Sequence, residues 1–153
     1  MAKMKPVATG GDLVEYVAFL AGKRDVKLSK IRLVKLLYLA DLAHARTHGG
    51  QTLTGWPWTF LHYGPFCTES ARAIELAVDG GLVAARPYQS PYDDDERFLY
   101  EYEGDEEPDA AKRIPIEVAG FLQAMIRRFG DDTPALLDFV YFETEPMLDA
   151  EPG

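Results

Sequence analysis

Between residues 30 and 48, apolar side chains fall on nearly every side of a helix. Ile31, Leu33, Val34, Leu36, Leu37, Tyr38, Leu39, Ala40, Leu42 and Ala43 leave no wide polar face. A surface helix shows one apolar stripe, whereas a helix that is apolar almost all round is covered by neighbours on several sides. Ser29 stands where an N-cap is needed. Arg46 and His48 lie in the last turn, where positive charge suits the carbonyl end, and Gly49-Gly50 supplies the stop. The pattern predicts a central, buried helix over 30–48, about five turns long.

Shorter patterns surround it. Asp12 can cap a helix over 13–22, with Leu13, Val14, Val17, Ala18, Leu20 and Ala21 on one face. Residues 58–62 alternate as a short aromatic strand, which Gly64-Pro65 should end. A third helix is expected over 68–79, capped by Thr68, with Ala71, Ile74, Leu76, Ala77 and Val78 inward. Strands over 82–86 and 98–102 form a hairpin around a polar tip that holds Asp93, Asp94, Asp95 and Glu96. A second polar loop covers 104–113. An amphipathic helix follows over 116–130, through Val118, Phe121, Leu122, Met125, Ile126 and Phe129. Thr133 and Pro134 open a last helix that runs to about 143, and Glu145-Pro146 turns the chain out of it; this helix is expected to pack on the central one, with Thr144 or Glu145 in a polar cluster near Tyr63 or His44.

These elements predict an α+β fold: a mainly helical single domain over 12–148 with a small antiparallel hairpin sheet. Residues 1–11 read as a flexible leader and 149–153 as a tail. The order helix, helix, short strand, helix, strand, long loop, strand is winged-helix-like. In that arrangement the helix over 68–79 would enter a DNA groove, which calls for basic or amide side chains. It offers Glu69, Arg72, Glu75 and Asp79 instead, and the hairpin tip is acidic. One arginine against seven carboxylates repels phosphate, so DNA is not the expected partner.

Charge sharpens this picture. The 153 residues carry a formal net charge of −9, but residues 1–50 sum to +5 and the remainder to −14. The asymmetry is either a solvated surface or a handle for a charged partner. No apolar run approaches the roughly 18 residues of a membrane span, and the first residues lack the apolar core of a signal peptide. The single cysteine, Cys67, excludes an internal disulfide and fits a reducing cytoplasm.

Candidate chemistry is sparse. His44 and His48 stand four apart on one helix, a spacing that can chelate a metal, with Asp41 on the same face and His62 and Cys67 in the next segments. The same histidines serve equally as surface or capping groups at a helix end. Cys67 with His62 or His44 as base would make a nucleophile, but a free cysteine also behaves as a small buried hydrophobe. Asp41, an acid in an apolar helix, must pair or reach solvent; His44 and Tyr63 are its nearest candidate partners. There is no phosphate loop, dinucleotide glycine pattern or G-x-S-x-G. No catalytic residue, metal or cofactor is assigned.

Three stretches carry a family likeness: LVKLLYLADLAHARTHGGQTLTG, FLHYGPF and FVYFETEPM. Together they resemble the Panacea domain, also called the SocA-like antitoxin domain. Its pattern is a K-L-L-Y-x-A helix, a glycine, a P/T-L-T-G turn, an aromatic strand ending in Y/H-G-P, and a distal Y-x-T-x-P. Lys35, Leu36, Leu37, Tyr38, Ala40, Gly50, Leu53, Thr54 and Gly55 match its first half. Tyr63, Gly64 and Pro65 match the next part, and Tyr141, Thr144, Glu145 and Pro146 the last, with two residues instead of one between Tyr141 and Thr144. Phe66-Cys67-Thr68 departs from it, where many members have Val-Pro or Phe-Ser.

The resemblance implies an antitoxin that neutralises a cognate protein toxin by direct binding. The family's type member also delivers its toxin to a cytoplasmic protease, so a protease is a second implied partner. Motif or partner-binding residues would be Tyr38, Asp41, His44, Trp56, Trp58, Tyr63, Gly64, Pro65, Tyr141, Thr144, Glu145 and Pro146. The aromatic stretch 56–66 is expected to expose the binding anchors, the alternative being that both tryptophans belong to the core. A winged-helix DNA-binding regulator and a metal-dependent or cysteine hydrolase are the alternatives.

Overall fold

The computed structural model describes residues 9–61, 64–89 and 96–140. In chain order the elements are α1 (Gly10–Lys23), β1 (Leu28–Ser29), α2 (Lys30–Thr47), β2 (Thr59–Leu61), β3 (Gly64–Phe66) and α3 (Thr68–Asp79). They continue with β4 (Val83–Gln89), β5 (Glu96–Tyr102), a 3-10 turn at Asp109–Arg113, α4 (Ile116–Phe129) and α5 (Thr133–Phe139). The expected α+β architecture, mainly helical with a small antiparallel sheet, is the one observed.

α2 is the hub. Ser29 caps it, accepting from the Arg32 backbone N–H. Leu33, Leu36, Leu37, Leu39 and Leu42 are each at most 2 % exposed, and burial of each contributes about 2 kcal/mol of transfer free energy. α1, α3, α4, α5 and β3 all pack on it, which explains why no face of its sequence is polar. α5 covers its first turns with Leu136, and the expected packing of the last described helix on the central one is observed.

β4 and β5 form the expected hairpin, extended toward its tip beyond the apolar pattern. β5 also pairs with β1, giving a three-stranded antiparallel sheet of order β1-β5-β4. β1 lies within a stretch that reads as loop, because two residues show no alternation. Gly64 and Pro65 do not merely end a strand. They begin β3, which pairs back on β2 with Phe60 opposite Pro65 and Leu61 opposite Gly64. Proline is tolerated because this ladder has only two strands, so a missing N–H can face outward.

Several caps differ from expectation. Thr9, not Asp12, caps α1, and Asp12 closes a capping box from the third position. Asp12 is also held by both arms of Arg113, at 3.0 and 3.1 Å, from the 3-10 turn inside the supposed polar loop. Burial pushes the Asp12 carboxyl up, but the Arg113 and Thr9 hydrogen bonds outweigh it and hold the group below its ordinary range. Cys67 rather than Thr68 occupies the α3 cap, and Asp132 rather than Thr133 the α5 cap. On α3 the buried face is Ser70, Ala73, Ile74 and Ala77; Leu76, expected inward, is 56 % exposed.

Gly64 is buried and has φ of 99°, a region that only glycine enters without strain. Gly64→Val is expected to destabilise the protein by more than about 1 kcal/mol. A thermal melt checks it, and an unchanged midpoint would refute the assignment.

Candidate functional site

The motif residues on described positions converge on one face of α2. The segment after the helix folds back across it, so that the turn at 53–55 and strand β2 lie over the second half of the helix. Tyr38 and Asp41 are both 0 % exposed. The Tyr38 ring meets Trp58 edge-on at 5.5 Å and Phe60 edge-on at 5.7 Å, the geometry aromatic quadrupoles favour.

Asp41 is the polar centre. One carboxylate oxygen accepts the Thr54 backbone N–H at 2.9 Å; the other accepts the Thr54 hydroxyl and the Trp58 indole N–H, the latter at 2.8 Å. Burial raises the Asp41 carboxyl above its ordinary value, and the bonds from Thr54 and Trp58 offset part of that rise. Thr54 Oγ1 also accepts the Trp56 backbone N–H at 3.1 Å, extending the network into the aromatic stretch. A buried acid that accepts from Thr54 and Trp58 in this way is a structural clasp.

Of the two candidate partners of Asp41, His44 is engaged elsewhere and Tyr63 lies outside the described residues. The His44 Nδ1 is hydrogen bonded to the Gln51 carbonyl at 2.7 Å, while the returning turn takes the carboxylate. The His48 ring stacks on His44 at 3.8 Å, and its Nδ1 lies 2.9 Å from the His44 carbonyl. Both rings thus serve the helix end. Among the described residues no cluster of three or more histidine, cysteine or acidic groups is placed to hold a metal.

Six residues before Asp41 on α2, Lys35 is 3 % exposed, and its Nζ donates to the Pro65 carbonyl at 2.8 Å. Burial lowers its pKa to about 8. This bond ties β3 to the central helix and gives the Gly-Pro pair a second role. Cys67 is buried beside the same strand, and burial raises its thiol pKa. A raised pKa leaves less thiolate, the opposite of what a nucleophile requires.

Trp56 and Trp58 were expected to present an exposed aromatic anchor. Both are half-buried against the core. Trp56 covers α1 so closely that a methyl group at Gly10 would fall 2.4 Å from its ring, and it meets Trp58 edge-on at 5.8 Å. His62, Tyr63, Tyr141, Thr144, Glu145 and Pro146 lie outside the described residues, as does the expected polar cluster of Thr144 or Glu145 with Tyr63 or His44.

Thr54 and Lys35 match the motif but were not among the expected site residues. Their signal was present: a threonine in an L-T-G turn beside a buried acid, and a lysine inside an apolar helix. No protein-family model, curated protein or solved structure matches the chain. Among the described residues no helix is long and apolar enough to cross a membrane.

Proposed function

We propose that this chain is an antitoxin-like protein-binding module that neutralises a cognate protein toxin by direct contact in the cytoplasm. The observation that carries it is the ordered set of K-L-L-Y-x-A, L-T-G, Y-G-P and Y-x-x-T-x-P segments in the sequence. The meeting of Lys35, Tyr38, Thr54, Gly64 and Pro65 around one helix face supports this. It gives a physical reason for those residue types at those positions: they hold the hairpin and the turn on the hub. In this reading the motif builds a scaffold, binding is carried by exposed surface, and a cytoplasmic protease is the second partner.

A DNA-binding regulator is the second reading, favoured by the element order and by the strand order β1-β5-β4. Against it, the exposed face of α3 presents Glu69, Glu75 and Asp79 with only Arg72. Phosphate contact needs the reverse balance.

The test is growth rescue by co-expression with the toxin encoded beside this chain. Wild type and Cys67→Ala should both rescue at equal folded abundance. Loss of rescue with Cys67→Ala alone would overturn the binding module and restore the hydrolase. Salt-sensitive retention of the chain's own promoter fragment, without rescue, would favour the regulator.

A further inference from the structure

The face of the β4–β5 hairpin turned toward α1 and α3 is covered unevenly. Opposed residues share a face of the ladder, and on this one the pairs run from Val83 and Tyr102 through Ala85 and Tyr100 to Pro87 and Phe98. Val83 is 2 % exposed, Ala85 and Tyr100 are half-buried, and Pro87 and Phe98 are exposed, Phe98 by 39 %. Alongside runs α3, which packs on β4 and ends at Asp79. A groove of about 290 Å³ lies between them, with Val78, Glu75 and Asp79 of α3 on one side and Ala85, Phe98 and Tyr100 on the other. At that size it falls at the lower end of small-ligand cavities, with room for one large side chain.

Its charge is one-sided. Among the described residues no lysine or arginine lines it, and the exposed Glu75 and Asp79 are in no ion pair. They stand four apart over the last turns of α3, where like charges repel and the helix dipole favours cations. α1, α2 and α4 each carry a basic side chain in the last turn; α3 carries none. Burial and the Glu75 charge together raise the Tyr100 phenol, so the field of that carboxylate reaches into the groove. An uncompensated negative pair thus borders an apolar wall, and a partner that brings both a cation and an apolar side chain satisfies both.

We propose that this groove docks a basic segment of a partner protein, its Lys or Arg side chains meeting Glu75 and Asp79 and one apolar side chain seated between Val78 and Phe98. The proposal rests on the protein-binding reading and adds the surface and the partner's chemistry. A bare cation would leave the apolar wall unused, and a nucleic acid would bring phosphate against two carboxylates. A second copy laid face to face would set the same acids against each other.

The experiment pans a displayed library of random dodecapeptides on the full chain, then titrates the synthesised best binder by fluorescence anisotropy. Enrichment of basic peptides with one aromatic or aliphatic anchor is expected, with affinity weakening as salt rises. At equal folded fraction, affinity should fall about tenfold or more for Glu75→Lys and for Phe98→Ala. It should stay unchanged for Asp138→Lys on α5, which makes the same change of net charge elsewhere. Glu75→Lys relieves repulsion in the free chain, so a melting midpoint at or above that of wild type shows that lost affinity is not lost folding. No enrichment, enrichment of acidic or uncharged peptides, unchanged affinity in either groove variant, or an equal fall in Asp138→Lys overturns the proposal. So does self-association of wild type in sedimentation that Glu75→Lys abolishes, since a second copy would then be the occupant. Failed toxin rescue by wild type, with groove-dependent peptide binding intact, sinks the antitoxin reading alone. Rescue by wild type without enrichment of basic peptides sinks the groove alone.

Discussion

Asp41→Ala is expected to lower the unfolding free energy by about 3 kcal/mol, with the midpoint of a urea titration falling accordingly. The substitution removes an acceptor, not merely a charge. It strands the Trp58 indole N–H and both the amide and the hydroxyl of Thr54, groups that otherwise converge on the carboxylate. A buried donor left without a partner costs about 1–3 kcal/mol. The three lie together, so their costs are not additive.

Asp41→Asn separates the contributions. Its carbonyl can still accept the Thr54 amide, but its NH2 then faces the indole N–H, donor against donor. Part of the loss should be recovered and part retained. The pH dependence runs against ordinary acid denaturation. The folded-state pKa is raised, chiefly by burial, so the native state holds the proton more tightly than the unfolded chain does. This group's contribution therefore falls as pH rises from its unfolded value through its folded one. Equal stability of wild type and Asp41→Ala at pH 7 would show that the clasp does not hold the turn.

The second large effect is at Lys35 and concerns slope more than level. Its folded pKa is about 8 against an ordinary 10.5. A native state that binds the proton less tightly gains stability as pH rises, from about 8 until the unfolded lysine also deprotonates near 10.5. At about 1.36 kcal/mol per pKa unit, the gain across that window is on the order of 3 kcal/mol. Lys35→Met removes it. Near pH 7 the variant should lie close to wild type. It no longer buries a charge, which stabilises it, but it leaves the Pro65 carbonyl without its donor, which costs about 1–3 kcal/mol. From pH 7 to 10.5 wild type should gain on the variant by about 3 kcal/mol. Because both proteins share the tyrosines and Cys67, taking the difference cancels their titration. Parallel stability profiles would refute the assignment.

These results give the motif a mechanical sense. The polar groups of Asp41, Lys35 and Thr54 are engaged with one another and with backbone carbonyls and amides. Conservative changes there should alter stability before they alter binding.

What was legible in the sequence was whatever depends on neighbours along the chain. The apolar pattern of α2 placed a buried hub between Ser29 and the double glycine, and the 3.6-residue period placed α1, α3 and α4 to within a few residues. The strand candidates at 82–86 and 98–102, either side of a polar tip, showed the β4–β5 hairpin, although not its full length. Only the tertiary structure decided which groups meet across long separations. Asp41 and Thr54 stand 13 residues apart, Lys35 and Pro65 30, Asp12 and Arg113 101; nothing in local periodicity chooses Thr54 over His44. β1 was invisible because two residues carry no period, and its pairing with β5 exists only because the chain returns. Hydrophobic patterning is a short-range property that the chain states directly, whereas a polar clasp or a charged concavity arises only when distant segments are brought together by that burial.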